Sequence, residues 1–288
     1  MEDMTHFGLF TRGWGPPPRR GGPAVVLVHG LGLSGRYFAP LARRLAADGT
    51  TVLVPDLPGN GRSRAVVRRT PDVGELADAL ARWHRATGVG PSVLVANSVG
   101  CQVVAAFAAR HPHAVRKVVL IGPALEPHVP ARRHCGTLLA DAPREPLSLL
   151  ALAAADYLIT GPARFIKSFR HALDDAAGPF AAHLKRVDAP TLVVRGSGDT
   201  IASTDWVRRV AGLVRDGRTA EVPGAAHAAH YSAPDAVATL IRNFVAEAEA
   251  EAEVEVETEE ETGTGAGTGA EAGAGVGAEA GEREGEGP

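Results

Sequence analysis

The sequence predicts an α/β protein with a doubly wound, mostly parallel sheet, and three observations carry that reading. Short β-branched runs, several of them wholly apolar, recur between residues 24 and 222. Each is followed by a turn signal and then by an amphipathic stretch at helical spacing. Runs such as Val25-Val-Leu-Val28 do not alternate apolar with polar, which is the pattern of a parallel strand covered on both faces. Strands alternating with helices at this interval build βαβ units rather than a sandwich or a bundle.

Taken in order, strands are expected at residues 24–29, 50–55, 92–97, 117–122, 191–196 and 218–222, and helices at 37–47, 72–87, 99–111, 205–214 and 234–245. One interval breaks the rhythm. Between Gly122 and Thr191 apolar residues fall at helical spacing (Leu147, Leu150, Leu152; Phe165, Ile166, Phe169, Leu173) and Pro143, Pro146, Pro162 and Pro179 punctuate them. Three or four short helices are expected there, forming a helical cap inserted over about residues 126–187.

The chain has 288 residues, 45% hydrophobic and 5% aromatic, with a formal net charge of -3. That near-neutral total hides two unlike parts. Residues 246–288 hold fourteen Glu and one Arg, a net of -13, whereas residues 1–245 carry +10. The acidic tail has no aromatic residue, no Leu and no Ile, so it buries too little apolar surface to offset its ordering entropy and is expected to be disordered. The preceding 245 residues suffice for one domain with a substantial core. The 27 Arg and three Lys of the chain are scattered rather than clustered, which argues against nucleic-acid binding. Residues 1–22 lack the apolar stretch of a secretory signal, and the most apolar run, 147–155, stops at Asp156, short of a membrane span. Cys101 and Cys135 form no metal-type or redox spacing. A cytoplasmic protein with free thiols is expected.

The chemistry concentrates at the ends of the predicted strands. Strand 92–97 runs through Ala96-Asn-Ser98-Val-Gly100 straight into a helix. Small residues two before and two after a serine permit a turn tight enough to lift its hydroxyl above the sheet. The same turn aims the next amide, that of Val99, at a developing oxyanion. Such a serine needs a base and an orienting acid. Strand 191–196 leads into Gly196-Ser-Gly-Asp199, and the last strand leads into Pro223-Gly-Ala-Ala-His227, giving the chain order Ser…Asp…His. His227 lies closer to the strand end than the rival His230 and is therefore favoured as the base. A competing outline is Gly30-Leu-Gly32-Leu-Ser-Gly35, a G-x-G-x-x-G after a strand, with Asp56 at a later strand end. The chain has no Tyr-x-x-x-Lys pair to support that dinucleotide reading. The His111/His113 and His227/His230 pairs lack further ligands at metal spacing, so neither metal nor cofactor is expected.

Together, His29-Gly30-Leu31-Gly32, Asp56-Leu-Pro-Gly59-Asn-Gly61-Arg-Ser63, Ala96-Asn-Ser98-Val-Gly100, Gly196-Ser-Gly-Asp199 and Pro223-Gly-Ala-Ala-His227 resemble the α/β-hydrolase superfamily across about residues 25–245. The resemblance implies Ser98, Asp199 and His227 as a catalytic triad and the amides of Leu31 and Val99 as an oxyanion hole. It also implies that residues 56–63 are mainly a structural turn. Serine at 98 argues against the dehalogenases and epoxide hydrolases of the superfamily, which use aspartate there. Asn97 is similar to the carbon–carbon bond hydrolases of aromatic meta-cleavage pathways. Those enzymes usually carry Trp after the histidine, where this chain has Ala228, and their cap arginine could be matched only to Arg164 or Arg170.

The reading that results is a serine hydrolase without cofactor, acting through an acyl-enzyme as a carboxylesterase on small, apolar esters. Carbon–carbon bond hydrolysis and a non-catalytic ligand-binding protein are the alternatives. The expected pocket residues are His29, Asn97, Leu150, Phe165, Phe169 and His230. Cys101 is expected to be a small packed hydrophobe.

Overall fold

The computed structural model describes residues 1–247. Its strands are β1 (Glu2–His6), β2 (Leu9–Trp14), β3 (Val25–Val28), β4 (Val52–Pro55), β5 (Ser92–Asn97), β6 (Val115–Ile121), β7 (Thr191–Gly196) and β8 (Gly217–Val222). They form one sheet in the order β1-β2-β4-β3-β5-β6-β7-β8, parallel from β4 onward and antiparallel in β1, β2 and their junction with β4. The helices are α1 (Ala39–Ala46), α2 (Val73–Thr87), α3 (Gly100–Arg110), α4 (Ala131–Asp141), α5 (Leu147–Thr160), α6 (Pro162–Ala176), α7 (Pro179–Leu184), α8 (Thr204–Leu213), α9 (Ala229–Ser232) and α10 (234–247). Residues Met1–Val245 form one compact unit. The last helix continues through residues 246 and 247, two positions into the expected tail, and the remainder of that tail lies outside the described residues.

Side chains of the central strands divide between two cores according to parity, as a period of two demands. Val26, Val28, Leu94, Ala96, Val118 and Leu120 pack on one face with Trp83 of α2 and Phe107 of α3. Val25, Leu27, Val93, Val95, Val119 and Ile121 pack on the other with Leu41 of α1 and Ile241 of α10. This double burial explains why these strands read as continuous apolar runs. The edge strand β8 is polar and half exposed, a composition that discourages further pairing.

The first two strands were not expected. The strand β1 is the polar Glu-Asp-Met-Thr-His at the sheet edge, and the turn Phe7-Gly8 places both residues at positive φ (48° and 77°). That is a tight hairpin in which Phe stands where Asn or Asp would have advertised the turn. The strand β2 is buried throughout although it contains Thr and Arg. Thr11 Oγ1 accepts from Trp83 Nε1 at 2.9 Å, and Arg12 pairs with Asp56 at 2.7 Å.

Asp56 organises the turn after β4. Its Oδ1 accepts from Arg12 Nη1 and from the Gly35 amide, both at 2.7 Å, and its Oδ2 from the Arg62 amide at 2.8 Å. Ser63 Oγ accepts from the Phe10 amide at 2.9 Å, so residues 56–63 staple the N-terminal hairpin to the parallel sheet.

Between β6 and β7, α4 to α7 form the expected helical insertion. Asp156 is the lone acid of the otherwise apolar α5 and turns inward. It accepts from Ser34 Oγ at 2.7 Å and pairs with Arg36, and nearby Thr160 Oγ1 donates to Gly32 O at 3.1 Å. Among the described residues no single helix is long and apolar enough to cross a membrane.

Asp56→Asn should destabilise the protein by about 3–5 kcal/mol, because it leaves the Arg12 guanidinium buried without its counter-charge. Urea unfolding followed by tryptophan fluorescence measures the loss.

Candidate active site

The turn after β5 is strained. Ser98 sits at φ 58°, a conformation that costs a non-glycine residue about 1–3 kcal/mol and persists only where its surroundings enforce it. Here the Ser98 amide donates to Ile121 O at 3.0 Å, and Ser98 O accepts from the Cys101 amide of α3 at 3.0 Å. Two glycines make room. A Cβ at Gly100 would stand 2.6 Å from Val28 O and 2.7 Å from His29 O, and one at Gly30 would stand 3.2 Å from Ser98 Cβ. The β3 turn therefore passes directly beside the serine, and Leu31 and Val99 line the same cavity wall as Ser98.

Asp199 and His227 meet across the ends of β7 and β8. His227 Nδ1 donates to Asp199 Oδ2 at 3.0 Å, while Asp199 Oδ1 accepts from the Ile201 and Ala202 amides at 2.7 and 2.9 Å. Arg195 holds the loop from behind, donating to the carbonyls of Asp199 at 3.1 Å and Ala202 at 3.2 Å. Burial opposes charge on both partners, but their mutual attraction outweighs it. The His227 pKa is therefore raised above its ordinary value and that of Asp199 is lowered. His227 Nε2 is buried and makes no hydrogen bond, so the Ser98–His227 contact is not closed in this conformation, although both side chains face one cavity. Such contacts often tighten only around substrate.

That cavity holds about 300 Å³ and lies between the sheet and the cap. Leu150, Phe165 and Phe169 line it. The other three expected pocket residues do not, each for a structural reason. His29 is buried under the loop, with Nε2 accepting from the Leu57 amide at 2.9 Å and Nδ1 facing Gly30 O at 2.9 Å. Asn97 is buried behind Ser98; its Nδ2 donates to Ile121 O and to His227 O, both at 3.1 Å, and its Oδ1 accepts from the Tyr37 hydroxyl at 2.5 Å. His230 packs between Tyr37 and Phe38, with ring centroids 4.3 Å apart in each pair, and burial holds its pKa well down. It is a neutral core histidine.

The sequence reading missed Tyr37, His134, Asp141 and Glu145, all on the cavity wall. Asp141 and Glu145 sit in a polar stretch with no motif around them, so only the folded cap brings them to the base. Neither arginine that could match the cap arginine of the carbon–carbon bond hydrolases belongs to the wall. Arg164 donates to the carbonyls of Gly59, Arg64 and Val67, and Arg170 is exposed. The glycine pattern 30–32–35 is equally structural. A Cβ at Gly32 would press on Phe165 and Tyr157, the Gly35 amide donates to Asp56, and Asp56 itself is fully committed to the hairpin. Bonded to Arg12, Gly35 and Arg62, Asp56 is not free to bind a ribose, and the dinucleotide reading falls. Cys101 is buried at the start of α3, and burial pushes its thiol pKa far up, as a packed hydrophobe requires.

The chain is similar to known hydrolases along most of its length. A family profile described as alpha/beta hydrolase fold matches residues 23–145. A pyrrolizixenacetamide deacetylase of Xenorhabdus hominickii is 29% identical over 245 residues, covering 78% of this chain and 91% of that one. A meta-cleavage product hydrolase from Pseudomonas fluorescens IP01 shares the fold, with a TM-score of 0.67 at 21% identity, covering 86% of this chain and 98% of that one. A pimeloyl-[acyl-carrier protein] methyl ester esterase of Neisseria meningitidis serogroup B is 30% identical over 253 residues, covering 77% of this chain and 92% of that one. With a relative at that identity along 92% of the relative's length, the chain belongs to the α/β-hydrolase fold family.

Proposed function

We propose that this α/β hydrolase is a serine carboxylesterase acting on small, uncharged, largely apolar esters. The observation that carries the reading is the strained Ser98 turn opening into the same cavity as a histidine paired, on its far nitrogen, with a buried aspartate. The Ser98 hydroxyl gives its proton to His227 Nε2 as Oγ bonds to the ester carbonyl carbon. The amides of Leu31 and Val99 receive the resulting oxyanion, a contribution of about 10²–10³ in rate per donor. His227 then passes the proton to the departing alcohol, leaving an acyl-enzyme. Water repeats the sequence, losing a proton to His227 and releasing the acid while Ser98 recovers its hydrogen. Asp199 stays ionised throughout, fixing the tautomer and stabilising the imidazolium.

The lining supports an uncharged substrate, because the wall is mainly Leu, Ala, Val and Phe and contains no Lys or Arg. A carboxylate-bearing substrate would find no Lys or Arg counter-charge there. The two curated relatives named above are a methyl ester esterase and a deacetylase, which supports acyl transfer to water.

Three outcomes are expected. Ser98→Ala should abolish labelling by a fluorophosphonate probe and lower p-nitrophenyl butyrate turnover by about 10⁴-fold or more; undiminished labelling would remove Ser98 from the mechanism. His227 must be neutral to accept a proton and its pKa is raised, so kcat/KM should fall on the acid side with an apparent pKa above the ordinary histidine value of 6.5, read from a pH–rate series. Gly122, at φ 51°, leaves space for the pair; a Cβ there would stand 2.9 Å from both Asp199 Oδ2 and His227 Nδ1. Gly122→Ala should therefore cost about 10²-fold in kcat and, by circular-dichroism melting, only about 1–3 kcal/mol in stability.

A further inference from the structure

The cap does more than cover the cavity, because a five-residue stretch at the end of α4 is hydrogen-bonded to both loops that carry the proposed acid and base. Asp141 is almost wholly buried. Its Oδ1 accepts from the Thr200 amide at 3.2 Å and the Thr200 hydroxyl at 3.1 Å, and Thr200 directly follows Asp199. Its Oδ2 lies 3.4 Å from the His227 amide. Four residues on, Glu145 Oε1 accepts from the Ala228 amide at 2.6 Å, and its Oε2 is buried with no hydrogen-bond partner. The His227 peptide is thus gripped from two sides. Asn97 of the sheet donates to its carbonyl at 3.1 Å, and Asp141 of the cap faces its amide.

We propose that Asp141 and Glu145 are positioning residues of the hydrolytic site: they fasten the loops bearing Asp199 and His227 to the cap and hold acid and base in register beneath the cavity. The inference rests on the serine-esterase reading above and adds to it two residues that no motif marks.

A second consequence makes the idea separable from simple packing. Facing His227 are Asp199 from the β7 loop and Asp141 and Glu145 from the cap, with the Tyr37 phenol and the neutral His230 on the sheet side. Arg195 reaches the backbone carbonyl of Asp199 and pairs with Glu221. Burial alone would depress the His227 pKa; Asp199 first, then Asp141 and Glu145, raise it. Burial, with the nearby Asp141 charge, pushes the Glu145 carboxyl up to about 7. Removing the Asp141 charge therefore makes His227 easier to deprotonate, and removing the Glu145 carboxyl does so to the extent that it is ionised, whereas a change that only loosens cap packing does not.

The test uses the full chain, p-nitrophenyl butyrate and the pH dependence of kcat/KM for wild type, Asp141→Asn, Glu145→Gln, their double variant and Asp141→Ala. Asp141→Asn is expected to move the acid limb to lower pH, Glu145→Gln to move it less in the same direction because that carboxyl is only partly ionised near pH 7, and the double variant to move it furthest. Asp141→Asn also turns an amide group toward either the Thr200 or the His227 N–H. Its plateau kcat should accordingly fall by about 10-fold or more while KM changes less, and Asp141→Ala should fall at least as far. Thermal melts report folding, and the near-isosteric variants decide the matter if Asp141→Ala does not fold. An acid limb that stays at the wild-type pH in both isosteres overturns the proposal, whatever happens to rate or stability. Absence of any Ser98-dependent turnover in wild type is a different result: it removes the esterase reading and this inference with it.

Discussion

Everything at the working end of this molecule depends on how closely backbone segments approach one another at the carboxyl ends of the parallel strands. The turn at Ser98 is possible only because Gly100 lies against the carbonyls of Val28 and His29, where a methyl group would sit 2.6 and 2.7 Å from oxygen. Gly30 keeps the neighbouring turn within van der Waals contact of the serine. Gly122 and Gly196 give the same clearance on the other side, the first beside the Asp199–His227 pair and the second against the carbonyls of Ala225 and Ala226. Crowding brings Ser98, Asp199, His227, Leu31 and Val99, the proposed reacting and oxyanion-binding residues, to one small region, and the strain at Ser98 is offset by the two cores that clamp β5.

Buried carboxylates then join the layers. Asp56 ties the N-terminal hairpin to the sheet, Asp156 ties α5 to the loop after β3, and Asp199 orients His227. In each case a charge is taken out of water and met by several donors, the condition under which a buried ion specifies geometry instead of only costing stability. Asp141 extends the pattern to the cap, and Glu145 adds a single hydrogen bond from the Ala228 amide. The cap's position is coupled by hydrogen bonds to the loops of the proposed acid and base, so cap placement and the register of that pair are one structural variable.

The cavity and the chemistry agree in polarity. A mainly apolar wall without Lys or Arg suits a neutral acyl chain, and negative groups near His227 favour its charged form, as the proposed proton transfer from Ser98 requires. They also oppose a carboxylate, so in the proposed ester hydrolysis the same field would favour release of the acid.

Local pattern was enough wherever the relevant interaction is local or periodic. Parallel strands buried on both faces must be continuously apolar, and the small-x-Ser-x-Gly turn must sit between a strand and a helix, so β3 to β7 and the placement of Ser98, Asp199 and His227 at strand ends were legible. The capping of α2 by Asp72 is equally local, with the Glu75 amide donating to it. The hairpin β1–β2 escaped because its burial comes from β4, Trp83 and Asp56, partners far away along the chain. His29, Asn97 and His230 were read as pocket residues because sequence proximity to a strand end says nothing about which side of the backbone a side chain takes. Asp141 and Glu145 were invisible because they reach His227 only after about eighty intervening residues have folded. Residue type and order therefore settled the architecture and the strand-end positions of the proposed reacting groups, through packing period and turn sterics. Which polar side chains face the cavity and which are spent holding it together was decided only in three dimensions, where long-range hydrogen bonds compete for the same few buried atoms.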